Sequence, residues 1–129
     1  MIDQLEDLIV DEESVNKELL STTLKPFIRI VRENKQFTFT SEFTSLEPKQ
    51  KMIVFLLGQK AKKILGFIED EKTTPKIIAS EIGLREGTVY PYARELEKAT
   101  LLKNDNGRYF IPNYAFEQVK NYLAKKVIK

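Results

Sequence analysis

The sequence predicts a mainly α fold with two small β-hairpins, organised around a helix-turn-helix. Three observations carry this. Residues 74–99 read as two helices separated by a glycine, an Asn-Gly hairpin signal follows them, and a long apolar helical stripe precedes them over 45–68. With 129 residues the chain can bury one core of its own, and 42% hydrophobic with 31% charged residues suits a water-soluble globular protein.

The elements follow in order. Over residues 3–20, Leu5, Leu8, Ile9, Val15, Leu19 and Leu20 recur at helical spacing, interrupted by 11–14, so one helix or two short ones are expected. Pro26 ends the region. From Phe27 to Thr40 the period changes to that of a β-hairpin, with Phe37 and Phe39 on its buried face. Such a hairpin is marginal alone and must pack on something. A helix start at Ser45–Glu47, with Pro48 at its first position, opens a helix expected to reach about Ile68. Its core stripe is Met52, Ile53, Leu56, Leu57, Ala61, Ile64 and Phe67 or Ile68, widened by Phe55, and Lys60, Lys62 and Lys63 are expected on the remaining face. Residues 69–74 read as a polar loop.

Thr74 and Pro75 give a capping hydroxyl followed by proline, the start of a short helix that stops at Gly83. A second runs from Glu86 to Ala99 with Val89, Ala93 and Leu96 inward. Leu101–Lys103 is expected as a strand, Asn104–Gly107 as its turn and Arg108–Ile111 as the return strand. Asn113 is expected to cap a last helix to about Val127, with Phe116, Val119 and Leu123 inward and Lys120, Lys125 and Lys126 outward.

Ala79, Gly83 and Val89 have the spacing of a helix-turn-helix, and each has a physical task. Ala79 is small where the helices approach closest. Gly83 supplies the left-handed residue of the turn. Val89 anchors the second helix so that its opposite face stands out. A helix-turn-helix followed by a hairpin is a winged helix-turn-helix: three helices and a wing, here with an acidic helix and hairpin before it and a helix after it. The residues Ile78-Ala79-Ser80-Glu81-Ile82-Gly83-Leu84 and Gly87-Thr88-Val89-Tyr90-Pro91 resemble winged helix-turn-helix transcription regulators, and Gly87–Pro91 with Leu96-Glu97-Lys98 resembles the PadR-like branch. The resemblance covers residues 74–112. It departs at Thr100, where a glycine is usual, and in the N-terminal half, which lacks the PadR pattern. It implies DNA binding in transcriptional control.

Charge points the same way. Residues 1–22 hold seven acids and one base, a net −6; with +2 overall, residues 23–129 carry +8. A basic body suits a polyanion, and an acidic arm stays off it; a solvated acidic helix at one end is the alternative reading of the same asymmetry. The organisation expected is an arm and hairpin over 1–44, serving dimerisation, and a winged helix with its C-terminal helix over 45–129.

Histidine and cysteine are absent, and the glycines form no phosphate loop. Imidazole triads, thiolate nucleophiles, disulfides and zinc fingers are thereby excluded, so no enzyme, cofactor or metal is expected. No apolar run approaches a membrane span and no signal-peptide pattern opens the sequence; absence of cysteine fits a cytoplasmic protein.

The candidate DNA-binding residues are Arg85 at the turn, Thr88, Tyr90, Pro91, Arg94 and Lys98 on the outward face of 86–99, and Lys103 and Arg108 on the wing (101–111). Arg94 matches the edge of guanine by its two-pronged donor geometry, and the others suit phosphates or a thymine methyl. Glu86, Glu95 and Glu97 share that helix, so a solvated face and a protein-docking adaptor without DNA binding are the alternative readings. The partners expected are double-stranded DNA and a second copy of the chain, because the apolar residues of 3–20, Phe37 with Phe39, and Phe116 with Val119 and Leu123 exceed what one small core needs.

Overall fold

The structure, a computed structural model, describes Leu5, Leu8 and residues 17–128, the last four of these by backbone only. It is mainly helical, with two two-stranded antiparallel sheets. The order is α1 (Lys17–Leu24), β1 (Ile28–Ile30), β2 (Phe37–Phe39), α2 (Ser41–Thr44), α3 (Pro48–Ile64), α4 (Pro75–Ile82), α5 (Glu86–Lys98), β3 (Lys103–Asp105), β4 (Arg108–Phe110), a 3-10 turn (Asn113–Ala115) and α6 (Phe116–Ile128). Of the helix expected over 3–20, the part seen as α1 continues to Leu24; apart from Leu5 and Leu8, residues 1–16 lie outside the described residues.

The first hairpin pairs Ile28 with Phe39 and Ile30 with Phe37. As expected, its aromatic face packs inward: Phe37 meets Phe55 edge-on at 5.6 Å and Phe39 stacks on Phe43 at 4.2 Å. It lies so close to α3 that a Cβ on Gly58 would fall 2.7 Å from the Phe37 ring and 2.9 Å from Ile28, so any larger residue there would push these side chains aside. Thr40 does not extend the strand. Its hydroxyl accepts from the Phe43 N–H and caps α2, a one-turn helix that the sequence pattern did not show.

Helix α3 begins where expected, with Glu47 and Gln50 satisfying each other's backbone N–H groups and Pro48 at the first position. It is the centre of the fold: Met52 to Leu57 are all at most 1% exposed, and α1, α4, α5 and α6 pack around it. Two expectations fail here. The helix ends at Ile64, not Ile68, and Lys60 and Lys62 do not face water, being 3% and 8% exposed. Lys60 Nζ pairs with Glu71 Oε1 at 2.7 Å and donates to Asn113 Oδ1 at 2.7 Å. Lys62 Nζ sits 3.9 Å above the Phe37 ring centroid, and burial pushes its pKa down. The 69–74 loop is therefore not simply polar surface, because Glu71 and Thr73 are buried.

Helices α3, α4 and α5 end in the same way. A left-handed residue (Gly66, φ 82°; Gly83, φ 75°; Thr100, φ 64°) is followed by an apolar one whose N–H reaches back five residues. These bonds are Phe67 to the Lys62 carbonyl at 2.8 Å, Leu84 to Ala79 at 2.9 Å, and Leu101 to Leu96 at 3.0 Å. This is the Schellman closure, which satisfies carbonyls that the helix leaves open.

It also explains a correction in the second hairpin. Leu101 and Leu102 are buried in the closure of α5 and not in a strand; β3 starts at Lys103, and the turn is only Asn106-Gly107, at φ 54° and 86°. Asn113, expected as a helix cap, opens the 3-10 turn that precedes α6 and accepts from Lys60. Phe116, Val119 and Leu123 are inward as expected, and Lys120 is half-buried; the side chains of Lys125 and Lys126 lie outside the described residues. Of the apolar groups expected to await a second copy, Phe37, Phe39, Phe116, Val119 and Leu123 are spent on the chain's own core, whereas Leu5 and Leu8 are 67% and 77% exposed.

Candidate nucleic-acid interface

The surface built from α4, α5 and the second hairpin is held from below. The Thr74 hydroxyl accepts from the Ile77 N–H at 3.3 Å, and Pro75 occupies the first helical position. Ile78 and Ala79 on α4 then meet Val89, Ala93 and Leu96 on α5, all buried. Gly83 turns the chain between them with nothing near its missing Cβ, so its glycine is required by φ alone.

With Val89, Ala93 and Leu96 inward, Tyr90, Pro91, Arg94 and Lys98 face solvent, and Tyr90 keeps 42% of its surface. Pro91 lies inside α5 without ending it. Thr88 is half-buried in the first turn, its N–H bonded to the Arg85 carbonyl at 2.9 Å. Arg85 is the N-cap residue, exposed, with no side-chain cap bond.

The hairpin is attached beside this face. Thr73 and Tyr109 exchange two backbone hydrogen bonds, 3.1 and 2.7 Å, so the loop before α4 adds a one-residue third rung to the β3–β4 hairpin. Burial pushes the Tyr109 phenol up, and Glu97, Arg94 and Tyr90 act on it electrostatically, which sets β4 against that flank of α5. Two ion pairs brace the hairpin to the same loop: Lys72 with Asp105 at 2.6 Å and Arg108 with Asp70 at 2.9 Å. Asp105 is held below the usual carboxylate range chiefly by the bond from Lys72, and Asp70 chiefly by the Lys72 backbone N–H and then by Arg108. Lys72 is correspondingly held up.

The eight candidate residues therefore divide. Arg85, Arg94, Lys98 and Lys103 are exposed and have no carboxylate within ion-pair distance among the described residues. Arg108 is committed to Asp70, so it is first a strut. Lys76, exposed on the first turn of α4, is a further cation on this side; only its place after Pro75 marked it in the sequence. Helix α5 is not uniformly basic: Glu86, Glu95 and Glu97 outnumber Arg94 and Lys98. Glu95, however, is taken by Lys49 of α3 at 3.1 Å, an interaction 46 residues apart in sequence, and that bond holds Lys49 up. Arg94 thus has neither Glu95 nor Glu97 as an ion-pair partner.

Among the described residues no group of three or more acidic side chains is placed to hold a metal. Comparison with known proteins returns no matching family model, no similar curated protein and no similar solved structure.

Proposed function

We propose that this protein is a winged helix-turn-helix that binds double-stranded DNA in transcriptional control, without catalysis. The order α3, Thr73, α4, α5, β3, β4, with Thr73 pairing to β4, supports the winged-helix reading. In it α5 enters the major groove and the β3–β4 hairpin touches the backbone. The observation that carries the reading is Arg94: exposed on the outward face of α5, without an ion-pair partner among the described residues, and near enough to Tyr109 of the hairpin to act on its phenol. A guanidinium so placed reads a guanine edge, while Arg85, Lys98, Lys103 and Lys76 neutralise phosphates around it. Binding as a homodimer would present two such helices to two half-sites. The cytoplasm is the compartment this function implies; no helix among the described residues is long and apolar enough to cross a membrane.

One observation favours a second reading. Glu86 and Glu97 lie exposed on α5, and two acids on a reading helix oppose phosphate but suit a basic protein surface. Selection from a random duplex pool separates the readings. A DNA reader enriches a motif and loses affinity steeply with salt, whereas an adaptor enriches none and shows no such slope.

A further inference from the structure

Helix α1, β1 and the end of α3 enclose a groove of about 390 Å³. Its walls are apolar: Leu20, Leu24, Ile28, Ile30, Ile64 and the 58%-exposed Leu65. Its rim is cationic. Lys17, Lys25 and Arg29 all line it, and none has a carboxylate within ion-pair distance among the described residues. The Arg29 guanidinium is held in place by the carbonyls of Lys25 and Ile28, which fix it without neutralising it.

The same chain carries the complement. Residues 1–16 hold six acids and no base. Leu5 and Leu8, three residues apart and so on one side of a helical turn, stand 67% and 77% in solvent. We propose that this groove is the seat for the acidic N-terminal segment of a second copy of the chain, with Leu5 and Leu8 as the anchors between its walls.

Three features select this occupant. An amphipathic acidic segment satisfies walls and rim together, whereas a neutral apolar ligand leaves three cations unmet. Both leucines are exposed in the single chain, so its own groove is not where they reside. The contact is also self-complementary: exchange between two copies buries both pairs of leucines and fills both grooves, the closed two-fold arrangement that terminates at a dimer. The reading relocates self-association from the faces of Phe37 and Phe116, which the core consumes, to the groove between α1, β1 and the end of α3. It does not depend on DNA binding.

The test is sedimentation of the full chain without DNA, from low to high micromolar concentration. The mass should rise from 15.0 kDa toward twice that value, and the association should weaken as salt is raised. Leu5→Asp with Leu8→Asp should abolish it. Lys17→Glu with Lys25→Glu should weaken it about tenfold or more, since like charges then face each other. Glu6→Lys with Asp7→Lys should weaken it similarly. Mixing these two charge-reversed chains should restore a dimer, because the reversed charges between Leu5 and Leu8 then meet the reversed pair on the rim, while the other arm meets an unaltered groove; a variant that had merely lost its fold would not be restored. Wild-type chain that stays at 15.0 kDa throughout overturns the proposal. So does a Leu5/Leu8 variant that dimerises like wild type, or charge-reversed chains that fail to pair when mixed.

Discussion

Lys60 Nζ lies 2.7 Å from Glu71 Oε1 with side chains only 4% and 11% exposed, so α3 is joined to the loop before α4 by a buried ion pair. Asn113 Oδ1 accepts a second bond from the ammonium, and Lys63 stands farther off at 3.9 Å from the other carboxylate oxygen. Breaking such a pair from one side leaves a charge in a place water does not reach. Lys60→Met should therefore cost about 3–5 kcal/mol, and adding Glu71→Leu should recover most of the loss. Urea unfolding of both variants checks this through the midpoint at unchanged slope. A double variant as unstable as the single one would show that the carboxylate was not the source of the loss.

Thr100 and Gly83 do the same job with opposite fitness for it. Both are left-handed at helix ends, but Thr100 is β-branched and exposed, with no packing to lose. Replacing it with glycine should stabilise the protein by about 1 kcal/mol, less than the full left-handed penalty because glycine also frees the unfolded chain. Gly83→Val should do the reverse. Nothing lies within 4 Å of the added Cβ, so its cost of about 1–2 kcal/mol is purely conformational. Thermal melting of the two variants should shift in opposite directions; a Gly83→Val protein that melts with wild type would contradict the turn.

These two positions also show how much the sequence carried. The Thr74-Pro75 start, the Gly83 stop and the Val89–Ala93–Leu96 stripe were legible because capping and periodicity are local. The register of the second hairpin was not. Leu101 and Leu102 look like a strand, but Thr100 adopts a conformation usually left to glycine, so the closure that claims them carries no local mark. The buried lysines were misassigned because a lysine stem ordinarily snorkels to water from a one-faced helix. The unbroken apolar run Met52–Leu57 was the available sign that α3 has no free face. In the candidate interface the outward residues of α5 were legible, but the capture of Glu95 by Lys49 and of Arg108 by Asp70 spans 46 and 38 residues, which no local pattern encodes.

Arg94 and Lys103 should fail differently. Arg94→Ala should cost about 1–3 kcal/mol on the preferred duplex and relax preference at one position. Lys103 opens β3, exposed and without an ion partner among the described residues, so it can reach backbone. Lys103→Ala should weaken all duplexes alike and lower the salt slope by about one unit per protomer. Titrations of both variants against preferred and scrambled duplexes at several salt concentrations make the comparison. If neither variant alters binding to any duplex, the protein-docking reading takes first place.

The hairpin brace should be acid-sensitive. Asp70 and Asp105 are both held below their ordinary 3.8. Depressed carboxylates contribute stability that is full above the unfolded value and lost as pH falls through the folded one. Melting temperature should hold from neutral pH to about 4 and then drop, with a smaller drop in Asp70→Asn/Asp105→Asn. An equal drop in that variant would assign the acid lability to other carboxylates.

Helix α3 needs cover from both directions of the chain: α1 and the first hairpin come before it, and α4, α5 and α6 after. During translation its apolar run therefore leaves the ribosome with only one flank available. The nascent chain carries that run only partly covered until α6 has been made, a natural binding stretch for chaperones. A message cut short before α6 yields a polypeptide that cannot hide it. Quality control is thereby given one clear mark of an unfinished product.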